Sequence, residues 1–227
     1  MANPLSPALA RTDYVLGKLR QARMLDAVRA VAATKDGTYG GKLAREVLLA
    51  PTPFDKVDQL LGDNGLTLGK YLGSGVESLV WEANPQTGVE PHVIKVRRGG
   101  SEEDFEFPEG VEGLAPYWAT TSDKDVYAAL QPRAAAVFRP APGMEKVFRD
   151  ATGRVYASLQ ARGWNWTDRN LGNIGVMPDG RWAAIDGFLD KTDLPARVEG
   201  VGLTPEEAIR MLRLTPEEEA TVYGAGQ

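Results

Sequence analysis

The chain has 227 residues, 43% hydrophobic and 25% charged, with a formal net charge of −5. That is ordinary globular composition, enough for one good core or two small lobes, and the negative balance exerts no general pull toward nucleic acid or an anionic membrane. Cysteine is absent and His92 is the single histidine, which excludes disulfides and thiolate chemistry and argues against a histidine zinc site or a Ser-His-Asp triad.

Residues 9–33 are rich in helix formers, and Val15, Leu19, Ala22, Leu25 and Val28 recur at three- and four-residue steps, predicting an amphipathic helix. TKDGTYGG stops it. KLAREVLLA predicts a second helix ending before Pro51, and residues 54–61, FDKVDQLL, a short third one. Residues 1–65 therefore read as a helical N-terminal extension. After GDNG the period changes. LTLGKYLG, SLVWEA and HVIKVRR are strand-like, and His92 at the head of the third is expected at the surface or an edge. Glu102, Glu103, Glu106, Glu109 and Glu112 lie in a stretch broken by Pro108, Gly110 and Gly113, read as a solvated face. APYWATT and DVYAALQ come next as two more strands. Five strands in series with mostly short connections predict an antiparallel sheet.

GMEKVFRDATGRVYASLQARG predicts a helix despite Gly153. NIGVM and RWAAID flank Pro178-Asp179-Gly180, a hairpin signal. TPEEAIRMLR and TPEEEATVYG each begin with Thr at the N-cap and Pro at the first helical position. No run approaches the ~20 apolar residues of a membrane-spanning helix. The opening MANPLSPALARTD lacks the pattern of a secretion signal. The expectation is a soluble cytoplasmic protein with no nucleic-acid and no membrane partner.

Within WNWTDRNLGNIGVMPDGRWAAIDG, Asn173 follows Asp168 by five residues and Asp186 follows Asn173 by thirteen. Phosphoryl transfer from ATP needs a carboxylate to orient the attacking hydroxyl, oxygen ligands for the metal and a cation on the phosphates. An Asp and an Asn on a loop beside a hairpin, with a second Asp at the end of its return strand, can supply the first two. Mg²⁺ keeps phosphate oxygens and waters, so few protein ligands suffice. Upstream, GSGVESLV holds Gly73, Ser74 and Gly75, whose backbone can approach phosphate closely. Lys95 stands in the apolar run HVIKV, where an ammonium is costly unless it reaches water or an anion. Taken singly, each feature has a plain reading: a strand turn, an edge lysine, capped turns. Their order and intervals carry the argument. Trp164 and Trp166 read as core packing rather than substrate stacking.

This order resembles the protein-kinase fold over residues 66–190. GSGVESLV resembles the glycine-rich loop G-x-G-x-x-G-x-V, with Ser78 for the third Gly. VIKV resembles V-A-I-K, and WTDRNLGN resembles H-R-D-L-x-x-x-N, with Trp166 in the His position and Thr167 in the Arg position. IDGF stands where D-F-G belongs, with Gly187 for Phe. The form D-x-N-x-G-N is similar to the loop of aminoglycoside phosphotransferases, and the DGR…ID ending to the small kinase domains of phage polyvalent proteins. The resemblance implies an α+β kinase-like fold: a five-stranded antiparallel N-lobe over 66–133 and a reduced C-lobe over 134–227. It implies ATP and Mg²⁺ as cofactors. Asp168 would accept or orient the substrate hydroxyl, and Asn173 and Asp186 would hold the metal. Lys95 would bind the α- and β-phosphates. Gly73, Ser74 and Gly75 would cover the phosphates, and Val80 the adenine. Ala129, Leu130 and Gln131 would form a hinge after the fifth strand.

Three departures accompany it. Asn170 replaces the catalytic-loop Lys, with Arg169 beside it. The Glu that pairs with the strand Lys is one of the five acids above, unresolved among them. No A-P-E motif occurs after Asp186, and only about 40 residues remain. The implied activity is phosphorylation of protein Ser or Thr hydroxyls. The alternatives are a catalytically weak or inactive nucleotide-binding or structural module, such as a phage virion component, or a small-molecule phosphotransferase. A phage origin would place the chain in the host cytoplasm or the virion. The N-terminal helices are a candidate docking device for a protein partner.

Overall fold

The computed structural model describes residues 7–35, 37–49, 54–75, 78–85, 90–99, 111–115, 117, 119–122, 126–187, 189–191 and 204–224. The fold is α+β, and the chain divides into two compact units: residues 1–104 with 118–131, and residues 105–117 with 132–227. Among the described residues, no helix is long and apolar enough to cross a membrane.

The first unit opens with α1 (Pro7–Thr34), α2 (Tyr39–Leu48) and α3 (Asp55–Asp63). Among the described side chains of α1, Met24, Val28 and Val31 are buried, a four-then-three step that makes one stripe. Ala22, expected on that stripe, is exposed. It lies two residues before Met24, about 200° around the helix, and its methyl is too small to draw the helix round. The side chains of Val15 and Leu19 lie outside what the structure describes. Helix α2 starts three residues before the predicted Lys42. The Thr38 hydroxyl accepts from the Gly41 N–H at 3.2 Å, so the cap sets the boundary although Gly40 and Gly41 read as a stop.

The five strands are β1 (Leu66–Ser74), β2 (Leu79–Pro85), β3 (His92–Arg98), β4 (Ala119–Ser122) and β5 (Val126–Pro132), in the order β1-β2-β3-β5-β4. Pairs β1/β2, β2/β3 and β4/β5 are antiparallel. The order departs from a plain series because the chain leaves this unit after β3. Leu114 bridges Ala184, and the Ala115 N–H donates to the Ala184 carbonyl at 2.9 Å, both within the second unit. Ala115, the first residue of APYWATT and expected as strand, is spent on that contact, and the returning β4 takes the outer edge. One face of the sheet is apolar. Trp81, Ile94 and Leu130, each fully buried, share a core with Val28, Val47 and Val57 of the helices. Each such side chain contributes about 1.5–3 kcal/mol by leaving water. The helices of residues 1–65 thus cover the sheet.

His92 is buried rather than at a surface or edge, because β3 lies between β2 and β5 and His92 faces Ala83 on the helix side. Burial holds its imidazole below the ordinary value of 6.5, against a smaller raising effect of Glu90. The folded state therefore favours neutral His92. Its contribution is fully present above 6.5 and is lost as the pH falls through the depressed folded value. We expect the thermal midpoint to fall more steeply on acidification below 6.5 in wild type than in His92→Gln. Parallel slopes would remove His92 from the account.

The second unit contains β6 (Ala136–Val137), α4 (Met144–Gln160), β7 (Trp164–Trp166), β8 (Ile174–Val176), β9 (Trp182–Ala184), β10 (Leu189–Lys191), α5 (Pro205–Arg210) and α6 (Pro216–Gly224). Helix α4 buries Phe148, Ala151, Val155 and Leu159 on one stripe, with the Phe148 ring edge-on to Trp182 at 5.0 Å. Strands β6, β8 and β9 form one small sheet, and β7 pairs with β10. Strands β6, β7 and β10 span two or three residues, too short to leave a sequence period. Both Thr-Pro-Glu-Glu starts are capping boxes, through Thr204 with Glu207 and Thr215 with Glu218. Glu218 also pairs with Arg154 of α4 and accepts from the Trp182 indole at 3.3 Å, which ties the chain's last helix to this core.

Candidate active site

In the first unit, Gly73 of β1 stands opposite Val80 of β2, and Val80 opposite Lys95 of β3. Directly opposed residues of antiparallel strands share a face, so Val80 and Lys95 project from the side that does not carry Trp81 and Ile94. Alternation places Arg97, Tyr127, Ala129 and Gln131 on that side too, and the Arg97 guanidinium lies 5.5 Å from the centre of the Tyr127 ring. The same strands are apolar toward the helices and polar on the other face. Lys95 is only 6% exposed and belongs to an interior strand, which excludes the reading of an edge lysine reaching into water. Sequence reasoning missed Arg97 and Tyr127; alternation in HVIKVRR and DVYAALQ could have found both.

The glycine loop closes the β1–β2 hairpin. Ser74 opposes Leu79, and the Gly75 N–H donates to the Ser78 carbonyl at 2.9 Å. Val76 and Glu77 lie outside the described residues. Ala129, Leu130 and Gln131 are within β5, not after it; Ala129 opposes Thr120, Leu130 opposes Ala119, and the Leu130 side chain joins the helical core. The chain passes from the first unit to the second between Gln131 and Pro132. Of the acids proposed to pair with Lys95, Glu102, Glu103, Glu106 and Glu109 lie outside the described residues. Glu112 is engaged by Arg162 at 3.2 Å within the second unit.

In the second unit, Asp168 and Asn173 meet directly. The Asn173 amide donates to Asp168 Oδ2 at 2.8 Å and to the Asp168 carbonyl at 2.9 Å. The Asn170 amide donates to Asp168 Oδ1, and the Asn170 N–H to the Asp168 carbonyl at 2.8 Å. Asp168 has φ +55°, alone among the described non-glycine residues in being positive. Left-handed backbone costs an L-residue about 1–2 kcal/mol, less for Asp, and the Asn bonds hold it there. Leu171–Asn173 then form one 3-10 turn.

The hairpin supplies the third residue. Its strands pair Ile174 with Ala184 and Val176 with Trp182. The Gly180 N–H donates to the Met177 carbonyl at 2.9 Å, the Met177 N–H to the Arg181 carbonyl at 2.8 Å, and Gly180 has φ +76°. That is the three-residue hairpin loop with a left-handed glycine that Pro-Asp-Gly predicts. The ladder extends through the Ile185 N–H donating to the Asn173 carbonyl at 2.8 Å, which sets Asp186 one residue past Asn173's partner. The Gly187 N–H donates to Asp186 Oδ1 at 3.1 Å, and the Trp166 indole N–H donates to the Asp186 carbonyl at 3.0 Å. Trp166 is fully buried and Trp164 packs against the same core, as expected.

Arg169 is stacked on Tyr156 of α4, its guanidinium carbon 4.0 Å from the ring centre, and Gln160 donates to the Tyr156 hydroxyl at 2.6 Å. The cation beside Asp168 is thus engaged by α4.

Carboxylate and amide oxygens are hard donors of the kind Mg²⁺ takes, and Asn173 spends its NH₂ on Asp168, so its amide oxygen is the atom that could ligate a metal. Among the described residues no group of three His, Cys, Asp or Glu could enclose a metal. No family model matches this chain, and no curated protein matches it.

Proposed function

We propose that the protein is an ATP- and Mg²⁺-dependent phosphotransferase of kinase-like fold that phosphorylates a Ser or Thr hydroxyl of a protein. The observation that carries the reading is Asp168, a carboxylate held in left-handed backbone by the side chain of Asn173, five residues on. Backbone strain concentrates where a side chain must be aimed. The row Gly73, Val80 and Lys95 across three strands supports a nucleotide half on the first unit.

In this reading Lys95 places positive charge on the α- and β-phosphates, and the backbone of Gly73, Ser74 and Gly75 covers them. Val80 presents an apolar surface to the adenine. Asn173 and Asp186 would hold Mg²⁺, which when bound neutralises charge on the phosphates. Asp168 orients the acceptor hydroxyl and accepts its proton as oxygen attacks the γ-phosphorus and the β–γ bridging bond breaks, releasing ADP. The acceptor class is assigned by resemblance of the motif order.

Calorimetry with ATP, with and without Mg²⁺, on wild type and Asp186→Ala tests the reading. Metal-dependent micromolar binding by wild type and its loss in the variant are expected. No binding by wild type would sink it. One observation favours a second reading, a nucleotide-binding module with weak or no turnover. Asn170 stands where the family has Lys, and Arg169 is committed to Tyr156. Binding without turnover would select it. A docking role for α1 would have to use its exposed side, since Met24, Val28 and Val31 face its own unit's core.

A further inference from the structure

The first turn of α2 meets the glycine loop. A Cβ on Gly40 would stand 2.6 Å from Ser74 Oγ, 3.3 Å from Ser74 Cβ and 3.3 Å from the Tyr71 hydroxyl. Gly40 is buried, so the missing side chain is what lets helix and strand approach. Tyr71 continues the contact inward, its ring edge-on to the fully buried Trp81 at 5.3 Å. On either side of Tyr71 the β1–β2 register slips, between Leu68 and Tyr71 and again between Tyr71 and Gly73. Such irregularities bend a strand and re-aim the residues beyond the bend. Here those residues are Gly73, Ser74 and Gly75. The bent end of β1 is therefore wedged between Trp81 and the notch at Gly40. The same face of α2 is anchored further along, with Leu43, Ala44 and Val47, three, four and seven residues on from Gly40, buried in the core.

We propose that α2 is part of the nucleotide-binding machinery: Gly40 is a positioning residue whose notch seats Ser74 and holds the glycine loop ready before nucleotide arrives. The nucleotide part rests on the phosphotransferase reading; the seating of the loop does not. A loop held ready binds phosphate without first being ordered, so loosening it weakens affinity. The same contact makes α2 sense the loop, because coupling between two places is reciprocal.

The test combines amide hydrogen exchange at Ser74 and Gly75, thermal unfolding and ATP calorimetry on the full chain. Gly40→Val is expected to remain folded, to speed exchange at these amides and to weaken ATP binding by about tenfold, within the usual range of such couplings. Gly62→Ala, where nothing lies within 4 Å, is the control and should change neither. Should Gly40→Val fail to fold, Gly40→Ala decides, with the same changes at smaller amplitude. Adding Ser74→Ala to Gly40→Ala removes the oxygen 2.6 Å away and should restore slow exchange, which a general loosening of α2 would not allow. Unchanged exchange at Ser74 and Gly75 in a folded Gly40 variant overturns the proposal. If wild type binds no ATP, the phosphotransferase reading fails, while the exchange results still decide whether Gly40 seats the loop.

Discussion

Gly187→Ala is expected to destabilise the second unit by about 3–5 kcal/mol, from left-handed backbone and overpacking together. Gly187 has φ +114°, which L-side chains rarely adopt. A Cβ there would stand 2.5 Å from Trp166 Nε1 and 2.9 Å from the Thr167 carbonyl oxygen. Neither neighbour can yield cheaply. Trp166 is fully buried, its indole donates to the Asp186 carbonyl, and Thr167 presents backbone. Relief would have to come from the Asp186–Gly187 turn, which would carry Asp186 away from Asn173. The large aromatic at 166 and the glycine at 187 are thus complementary, the indole filling the space that a side chain at 187 would need. Thermal unfolding checks the prediction: about 2–4 °C per kcal/mol puts the midpoint roughly 10 °C lower. A variant melting with wild type would mean that the turn tolerates a side chain, and the packing account would be wrong.

Asp168→Asn is expected to leave the fold nearly intact and to lower turnover by about 10²–10⁴, the range for removing a general base. Asparagine tolerates left-handed backbone almost as aspartate does, so the φ of +55° survives. Asn170 and Asn173 each donate to one carboxylate oxygen, so in the variant one of these amides faces an NH₂ instead. The residue is exposed and water can take up the lost bond, which limits the destabilisation to about 1 kcal/mol. In the proposed phosphotransfer the variant has no proton acceptor for the hydroxyl. Measuring ADP release and protein labelling alongside the melting curve separates the two effects. Turnover equal to wild type in a folded variant would remove Asp168 from the chemistry.

Much of the fold was legible locally. The helices, the strand segments and the Pro-Asp-Gly loop arise from period and turn chemistry, because those signals act over a few residues. The interval from Asn173 to Asp186 is the length of a hairpin, and the hairpin is there. Alternation in HVIKVRR already divides the strand into an apolar face with Ile94 and Val96 and a charged one with Lys95 and Arg97.

Other features depended on neighbours distant in sequence. The chain between β3 and β4 contributes Leu114 to the second unit, so β5 and not β4 lies next to β3. No local pattern encodes that excursion. His92 is buried because its strand is central, and strand order is a property of the whole sheet. Gly40 and Gly41 read as a stop, yet Thr38 caps a helix through them because a close-packed strand end needs the space. The sequence by itself determined most of the helices, the longer strands and the Pro-Asp-Gly turn, and which face of those strands is apolar, since both depend on residues a few positions apart. Tertiary structure alone decided which strand is interior and which glycine is a notch, since each requires atoms brought together from separate segments.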